Sequence, residues 1–528
     1  MPRDLGDFQT PLSLVNEVLD CLGRTGRTWT RVLEPTCGSG NFIHGLLTSN
    51  NPPKELQGIE IQSHYIENVQ KIAEQAASTQ VLIKQANIFD LDLHRDLQWR
   101  ETGSLLIIGN PPWVTNSELS TLESTNTPVK SNFKGLSGFD AMTGGSNFDI
   151  AEYIWLKLIR ELASEQPTIA LLCKTSVARN VLQYAYDIDL PLSKASIWKI
   201  NSMQFFGASV DACLFYIEVG LGEPNYKAEV YPSLNATIPQ STIGIINGRL
   251  VSNLESRTNL AFIDGISSLT WRQGLKHDAA AILELTRDIS GELRNKHGGL
   301  VIVEAEYIYP LLKSSDLGGK EKIRPIRFVI VTQKYIGEDT YQLEHSAPKL
   351  WRYLTSYRDQ FDQRKSSIYN NQPPFAIFGI GEYSFSSYKV AISGMYKIPK
   401  FSAIGLINDR PVMLDDTCYF VPCKSAKQAA LVVSLLNDPQ CLEYIHSITF
   451  WDAKRPITKK LLQRIDLISL VNRLDRKTLL TRANNELMRL GVTNEKLLKE
   501  WPENFKDLLV DYSFNNNSAV QLDLLEAF

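Results

Sequence analysis

The 528 residues are 43% hydrophobic and 21% charged with a net charge of −3, an ordinary globular balance that excludes coating nucleic acid by charge alone. No apolar run approaches the roughly 18 residues that span a bilayer, and "MPRDLGDFQTPLS" opens with acids and no apolar h-region, so neither a membrane span nor a signal peptide is expected. The seven cysteines, at 21, 37, 173, 213, 418, 423 and 441, form no C-x-x-C pair, which argues against a zinc site or a disulfide framework and for a reducing cytoplasm.

In chain order, "SLVNEVLDCL" (Ser13–Leu22) is the first expected helix, with Leu14, Val15, Val18, Leu19 and Leu22 on one face. "RVLEP" (Arg31–Pro35), "LQGIEI" (Leu56–Ile61), "VLIKQANIF" (Val81–Phe89), "LLIIG" (Leu105–Gly109) and "TIALLCK" (Thr168–Lys174) are expected strands. Helices are expected at "HYIENVQKIAEQA" (His64–Ala76) and "AEYIWLKLIRELA" (Ala151–Ala163), and a final strand at "DACLFYIEVG" (Asp211–Gly220). Apolar strands alternating with helices predict a mostly parallel sheet covered on both faces. "GEPNYKAEVYPSLNATIPQSTIG" then reads as a linker, rich in Pro, Gly, Ser and Asn. Two domains are expected at this length: an α/β catalytic domain over 1–225, and a mixed α+β domain over 226–528 with a helical C-terminal segment. The charge splits in the same way: residues 1–220 hold 17 Lys and Arg against 24 Asp and Glu, and residues 221–528 hold 38 against 34. A mildly basic second part suits a polyanion partner.

Two motifs carry the chemistry. In "LEPTCGSGNF" (Leu33–Phe42), Gly38 and Gly40 allow a tight turn and close backbone approach to a ligand. The loop lacks both the Lys-Ser/Thr of a phosphate-binding loop and the three-glycine dinucleotide spacing. Glu60 ends the next strand, about 20 residues on, where an acid accepts hydrogen bonds from ribose hydroxyls. The second motif is Asn110-Pro111-Pro112-Trp113, at the end of the fourth strand. Ligands bind at that edge of an α/β sheet. An exocyclic aromatic amine is a poor nucleophile because its lone pair is delocalised into the ring. The Asn110 side-chain oxygen and the Pro111 carbonyl are two acceptors for its hydrogens, held by the stiff prolines. Trp113 offers a face for a flat base.

With "FQTPLSLVNEVL" (Phe8–Leu19), "GIEI", "ANIFD", "NPPW" and "MQFFGASVDACLFYI" in this order, the chain resembles the gamma-class N6-adenine DNA methyltransferases of restriction–modification systems. The resemblance covers 1–220 closely. It continues more loosely through "WRQGLKHD" (Trp271–Asp278), "YPLLKSSDL" (Tyr309–Leu317) and "FWDAKRPITKKLL" (Phe450–Leu462). It implies a Rossmann-like class I methyltransferase domain with a C-terminal target-recognition domain, S-adenosylmethionine as cofactor, no metal, and a bacterial or archaeal cytoplasm. Implied partners are double-stranded DNA and a separate cognate restriction endonuclease. Thr10 and Glu34, Pro35, Thr36, Cys37, Gly38 and Gly40 would hold the methionine part of the cofactor, and Glu60 its ribose. Ile61 would pack on the adenine, and Ile88 would be a further cofactor-binding residue. Asn87 stands where the family often has an Asp, and Asp90 is its alternative. Asn110, Pro111, Pro112 and Trp113 would be catalytic, with Trp113 and Phe205 stacking the target base and Phe206 next in line. The implied mechanism is direct attack of adenine N6 on the sulfonium methyl, after base flipping.

Other readings stay open on the residues alone. Cytosine-N4 methylation uses the same loop chemistry. Protein-glutamine N5 methylation uses Asn-Pro-Pro-aromatic without so long a second domain. A catalytically silent DNA-binding module is a third. Cytosine-C5 chemistry needs a cysteine nucleophile, and Cys423 in "VPC" lies far from the cofactor loops. His277-Asp278 is too small a cluster for a metal. For DNA contact, "KLWRYLTSYRDQFDQRKSS" (Lys349–Ser367) and "WDAKRPITKK" (Trp451–Lys460) interleave basic and aromatic residues.

Overall fold

The computed structural model describes residues 9–114, 149–220, 223–255, 260–317 and 327–510. Phe8 of the quoted motifs lies outside the described residues. The chain divides into two compact units between Glu255 and Ser256.

In the first unit, α1 (Leu12–Gly23), β1 (Arg31–Glu34), α2 (Asn41–Leu47), β2 (Glu55–Glu60), α3 (Ser63–Glu74), β3 (Gln80–Gln85) and β4 (Leu105–Gly109) follow one another. They continue into a helix over Ile150–Leu162, β5 (Thr168–Lys174), a helix over Thr175–Asp187, β6 (Leu192–Ile200) and β7 (Ala212–Val219). The sheet order through these strands is β3–β2–β1–β4–β5–β7–β6. Neighbours are parallel from β3 to β5, and β7 is wedged antiparallel between β5 and β6. Alternate strand residues Val32, Leu106 and Ile108 join one core with Leu14, Val15 and Val18 of α1 and Phe42 and Ile43 of α2. The intervening Leu33, Ile107 and Leu171 are equally buried, so both faces are covered, as apolar strand runs require. This is the Rossmann-like sheet expected from the sequence.

The expected linker departs from the sequence reading. It contains β8 (Lys227–Tyr231) and β9 (Ser241–Ile246), followed by β10 (Arg249–Val251), and all three extend the same sheet beyond β6. β8 pairs parallel with β6, so β7 is not the last strand of this sheet. The 225/226 boundary expected from composition therefore falls inside the sheet. Exposed and buried residues alternate along Lys227–Tyr231, the pattern of a strand with one wet face. Tyr231 stacks on Trp198, with centroids 5.2 Å apart and planes 15° apart, and Leu234 is buried in the core. A chain ending at Glu255 is accordingly expected to melt higher than one ending at Asn225, which bares the β6 edge and removes Leu234. Equal melting temperatures by calorimetry would remove this assignment.

The second unit holds two sheets among its described residues. One runs β11 (Arg272–Gln273), β19 (Cys418–Cys423), β16 (Tyr388–Ser393), β17 (Ser402–Ile404), all antiparallel. The other runs β13 (Leu293–Asn295), β12 (Glu284–Arg287), β15 (Arg327–Ile330), β14 (Ile308–Leu312), β18 (Met413–Leu414). Helices over Ala426–Leu436, Pro439–Ile448 and Arg476–Arg489 complete the α+β unit. The segment 349–367, expected to meet DNA, turns its apolar and aromatic residues inward. Leu350, Leu354 and Phe361 are core, with Trp351, Tyr353 and Tyr357 packed against them. Tyr353 donates to Ile282 O at 2.8 Å. Its aromatics thus build the core, and the exposed face keeps polar and charged side chains of both signs, Asp359 and Asp362 among them. No described helix is long and apolar enough to cross a membrane.

Candidate active site

The cavity sits at the carboxyl ends of β1, β2 and β4, and its shape follows from how the chain leaves each strand. After β1, Gly38 (φ +49°) and Gly40 (φ +82°) take left-handed conformations that residues with a Cβ rarely adopt. Gly40 is the N-cap of α2. A Cβ there would lie 3.1 Å from Val69 Cγ2 and 3.2 Å from Ile72 Cδ1, so only glycine lets α2 start this close to α3. The turn is tied to β2 twice: Cys37 N–H donates to Ile59 O at 2.9 Å and Gly38 N–H to Glu60 Oε2 at 2.8 Å. The N-terminal segment closes over it. Ser39 N–H donates to Gln9 Oε1, and Asn41 Nδ2 to Thr10 O, both at 2.8 Å.

The Asn-Pro-Pro-Trp loop leaves β4 beside this turn. Gly109 (φ +156°) has open space for a Cβ only to within 3.4 Å of Glu34 Cγ and 3.6 Å of Pro35 Cδ, so the two motifs pack against each other. Together they line one solvent-connected cavity. Of the expected residues, Thr10, Glu34, Pro35, Thr36, Cys37, Gly38, Glu60, Ile61, Asn87, Ile88, Asn110 and Pro112 line it. Ile61 is 39% exposed, an apolar surface beside the Glu60 carboxylate. Asn87 Oδ1 already accepts from Phe89 N–H at 3.1 Å, and it retains a second lone pair. Asp90 is not among the lining residues, whereas Asn87, Ile88 and Phe89 are.

Gly40, Pro111, Trp113 and Phe205 do not line the cavity. Gly40 shapes the turn from behind. Trp113 is 7% exposed, and its indole N–H donates to Leu172 O at 3.3 Å. Its ring meets Phe206 edge-on at 5.1 Å and 73°. Phe206 is thus the aromatic partner of Trp113, and both Phe205 and Phe206 pack against the core. Sequence reasoning missed Gln9, Asn41, Phe42, Gln62, Phe89, Val114, Ile150 and Ile154, which also line the cavity. Ile150 N–H donates to Val114 O at 2.9 Å, and Asp149, the N-cap of that helix, pairs with Lys174 at 2.7 Å. These contacts bring the helix to the cavity wall. Its apolar periodicity was legible, but not that one turn of it faces the cavity.

The electrostatics suit a cation. Burial, reinforced by the Glu60 carboxylate, holds Glu34 well above the usual carboxylate range, and burial with the same two carboxylates pushes the Cys37 thiol up. Glu34 Oε2 and Thr36 Oγ1 are buried without a hydrogen-bond partner among the described residues, and each faces an expense that a bound polar group would relieve. Glycine turn, paired carboxylates and apolar Ile61 fit a cofactor that joins a nucleoside to a cationic amino acid. A cation on Glu34 favours its ionised form, so binding must release a proton between the usual carboxylate range and the raised value, and affinity must rise with pH across that window. Without ligand the sign for stability is opposite. The stabilisation from protonated Glu34 is full below the usual range and is lost as pH rises through the raised value. Titration calorimetry in buffers of different ionisation enthalpy is expected to count that proton in the native chain and none in Glu34→Gln. Equal counts would move the cation elsewhere.

Comparison with known proteins agrees with this geometry. A methyltransferase-domain family model matches residues 28–98, which span the glycine turn and Glu60. The Type II methyltransferase M.NspV of Nostoc sp. (strain ATCC 29411 / PCC 7524) is 38% identical over 465 residues, or 88% of this chain and 96% of that protein. The structure of the Type IIL restriction-modification enzyme MmeI in complex with DNA shares the fold over 94% of this chain and 74% of its own, with a TM-score of 0.54 at 14% identity. With S-adenosylmethionine as cofactor, the chain belongs to the type II DNA methyltransferases of restriction–modification systems.

Proposed function

We propose that the methylated atom is N6 of adenine, flipped out of duplex DNA into the cavity beside Asn110. One observation carries this reading: Asn110 and Pro112 share a single cavity with Glu34–Gly38 and Glu60, so an acceptor for an amine hydrogen and the cofactor cradle face the same space. When bound, S-adenosylmethionine supplies an electrophilic methyl on sulfur. Thr10 and the residues from Glu34 to Gly38, with Gly40 shaping their turn, hold its methionine end. Glu60 takes the ribose, while Ile61, Asn87 and Ile88 bound the adenine.

Asn110 Oδ1, at the cavity wall, accepts a hydrogen of the target amine, which draws its lone pair out of the ring and towards the methyl. Pro111 and Pro112 lock this acceptor in place, so its ordering is settled before the base arrives. The proton leaves after transfer, because the methylated amine is briefly cationic. A base stacks on Trp113 only if Phe206 gives up its edge contact. Base–aromatic stacking worth roughly 1–3 kcal/mol offsets that loss. The indole anchor on Leu172 O keeps Trp113 fixed while Phe206 moves. Duplex DNA is the substrate in this reading, the second unit recognises the target sequence, and a cognate endonuclease reads the same site.

The test is incubation with methyl-labelled S-adenosylmethionine and DNA of mixed sequence, followed by nucleoside analysis. N6-methyladenine is the expected product. Label in N4-methylcytosine would replace the base assignment, and no label in DNA would remove the function.

A further inference from the structure

Outside the cavity, the most unusual surface is the turn between β16 and β17, with sequence "GMYKIPK" (Gly394–Lys400). Met395 is 38% exposed, Tyr396 42% and Ile398 80%. Single exposed apolar residues are common, but three within four positions on one turn are not.

The turn is also held stiffly. Gly394 N–H donates to Thr417 O at 2.8 Å. The N–H groups of Met395 and Tyr396 both reach Ser393 Oγ, at 3.1 and 3.3 Å. Pro399 is buried. Beyond it, Phe401 and Asn437 exchange two hydrogen bonds, at 3.0 and 2.9 Å. A collapsing loop would bury its apolar side chains, whereas this one is braced at both ends with them outward.

Its surroundings are basic. Lys397 is exposed and Lys400 half-buried, and neither has an acidic partner among the described residues. The segment Trp451–Lys460 abuts the turn: a Cβ on Gly394 would lie 3.4 Å from Ile457 O. Arg455 in that segment binds Asp416 at 3.1 Å, next to Thr417. It adds Lys454, exposed and likewise without an acidic partner among the described residues.

We propose that Met395, Tyr396 and Ile398 form a wedge that enters the base stack of duplex DNA, with Lys397, Lys400 and Lys454 seating the flanking phosphates. Apolar side chains inserted between base steps unstack them, and ammonium groups without acidic partners match the phosphate backbone. The wedge lowers the cost of extruding the target base, so this inference rests on the base-flipping reading above.

The test uses the full chain and a site mapped with the native enzyme. The variant Met395→Ser/Tyr396→Ser/Ile398→Ser is compared with native protein on two substrates: the perfect duplex, and the same duplex with an abasic position opposite the target. kcat/KM on the perfect duplex is expected to fall roughly 10- to 100-fold, and on the abasic duplex, where unpairing is already done, by less than about threefold. S-adenosylmethionine affinity and melting temperature stay unchanged. Tyr396→Trp/Ile398→Leu keeps a wedge and retains duplex activity.

An undiminished rate on the perfect duplex overturns the proposal. So does an equal loss on both substrates, which marks the turn as a general contact or a surface for a second copy. A native enzyme that methylates no DNA removes the function reading itself, and the wedge with it.

Discussion

Replacing Asn110 with alanine is expected to slow methyl transfer to DNA by about 10²–10³-fold, the usual effect of deleting one preorganised polar group that acts on developing charge. S-adenosylmethionine affinity should change by less than about threefold, since an amine acceptor contributes only when the amine is present. The reason lies in the position of the side chain. Gly109 packs against Glu34 and Pro35, which places Asn110 at the cavity wall next to the cofactor cradle, and two prolines follow to hold the backbone. Among the described residues that line the cavity beyond β4, no other offers a neutral side-chain oxygen: Pro112, Val114, Ile150 and Ile154 are apolar. Asn110→Asp keeps an acceptor while adding a charge to a site that already holds Glu34 and Glu60. It is expected to retain more activity than alanine and to raise the pH at which that activity appears. Single-turnover transfer with labelled cofactor, paired with a binding isotherm, checks both variants. Native turnover in Asn110→Ala would remove the acceptor role.

The parts of this site that were legible in the sequence are those encoded locally. β1, β4 and β5 are continuous apolar runs because they are buried on both faces, and the residues just past such runs lie at the ligand-binding rim. That logic leads to Glu34, Glu60 and Asn110, which line one cavity. What was not legible depends on contacts between distant segments. Trp113 reads as a free aromatic face, yet Leu172 of β5 and Phe206 of the short helix Ser202–Phe206 hold it in the core. Ile150 and Ile154 read as one apolar helix face like any other, and only the return of the chain onto Val114 turns them to the cavity. β8 and β9 lie among Pro, Ser and Asn, the composition of a linker. The edge of β6 makes strands of them, and composition does not reveal an open edge. The inward-facing aromatics of 349–367 follow the same rule, because Trp and Tyr interleaved with basic residues describe a DNA-facing helix and a core-packed one equally well.

Glu60→Ala should weaken S-adenosylmethionine binding by about 10–100-fold, as the loss of charge-assisted hydrogen bonds to the ribose requires. The side chain has two tasks, and a second substitution separates them. Its carboxylate accepts from Gly38 N–H at 2.8 Å and Gln62 N–H at 2.7 Å, so it braces the glycine turn as well as facing the cavity. Alanine removes both functions and leaves two backbone donors to water. Glu60→Gln keeps an acceptor oxygen for the turn but removes the charge, so a smaller loss of affinity is expected. The charge has a further effect that a merely structural role would not have. Glu60 is one of the causes that hold Glu34 above the usual carboxylate range, second to burial. Neutralising it lets the Glu34 carboxyl fall back, and the pH window in which cofactor binding releases a proton shifts towards acid. Proton counting by calorimetry across that window reads this shift directly. An unmoved window with native affinity in Glu60→Gln would mean that the two carboxylates do not act on one bound cation, and the cradle assigned to the glycine turn would lose its electrostatic basis.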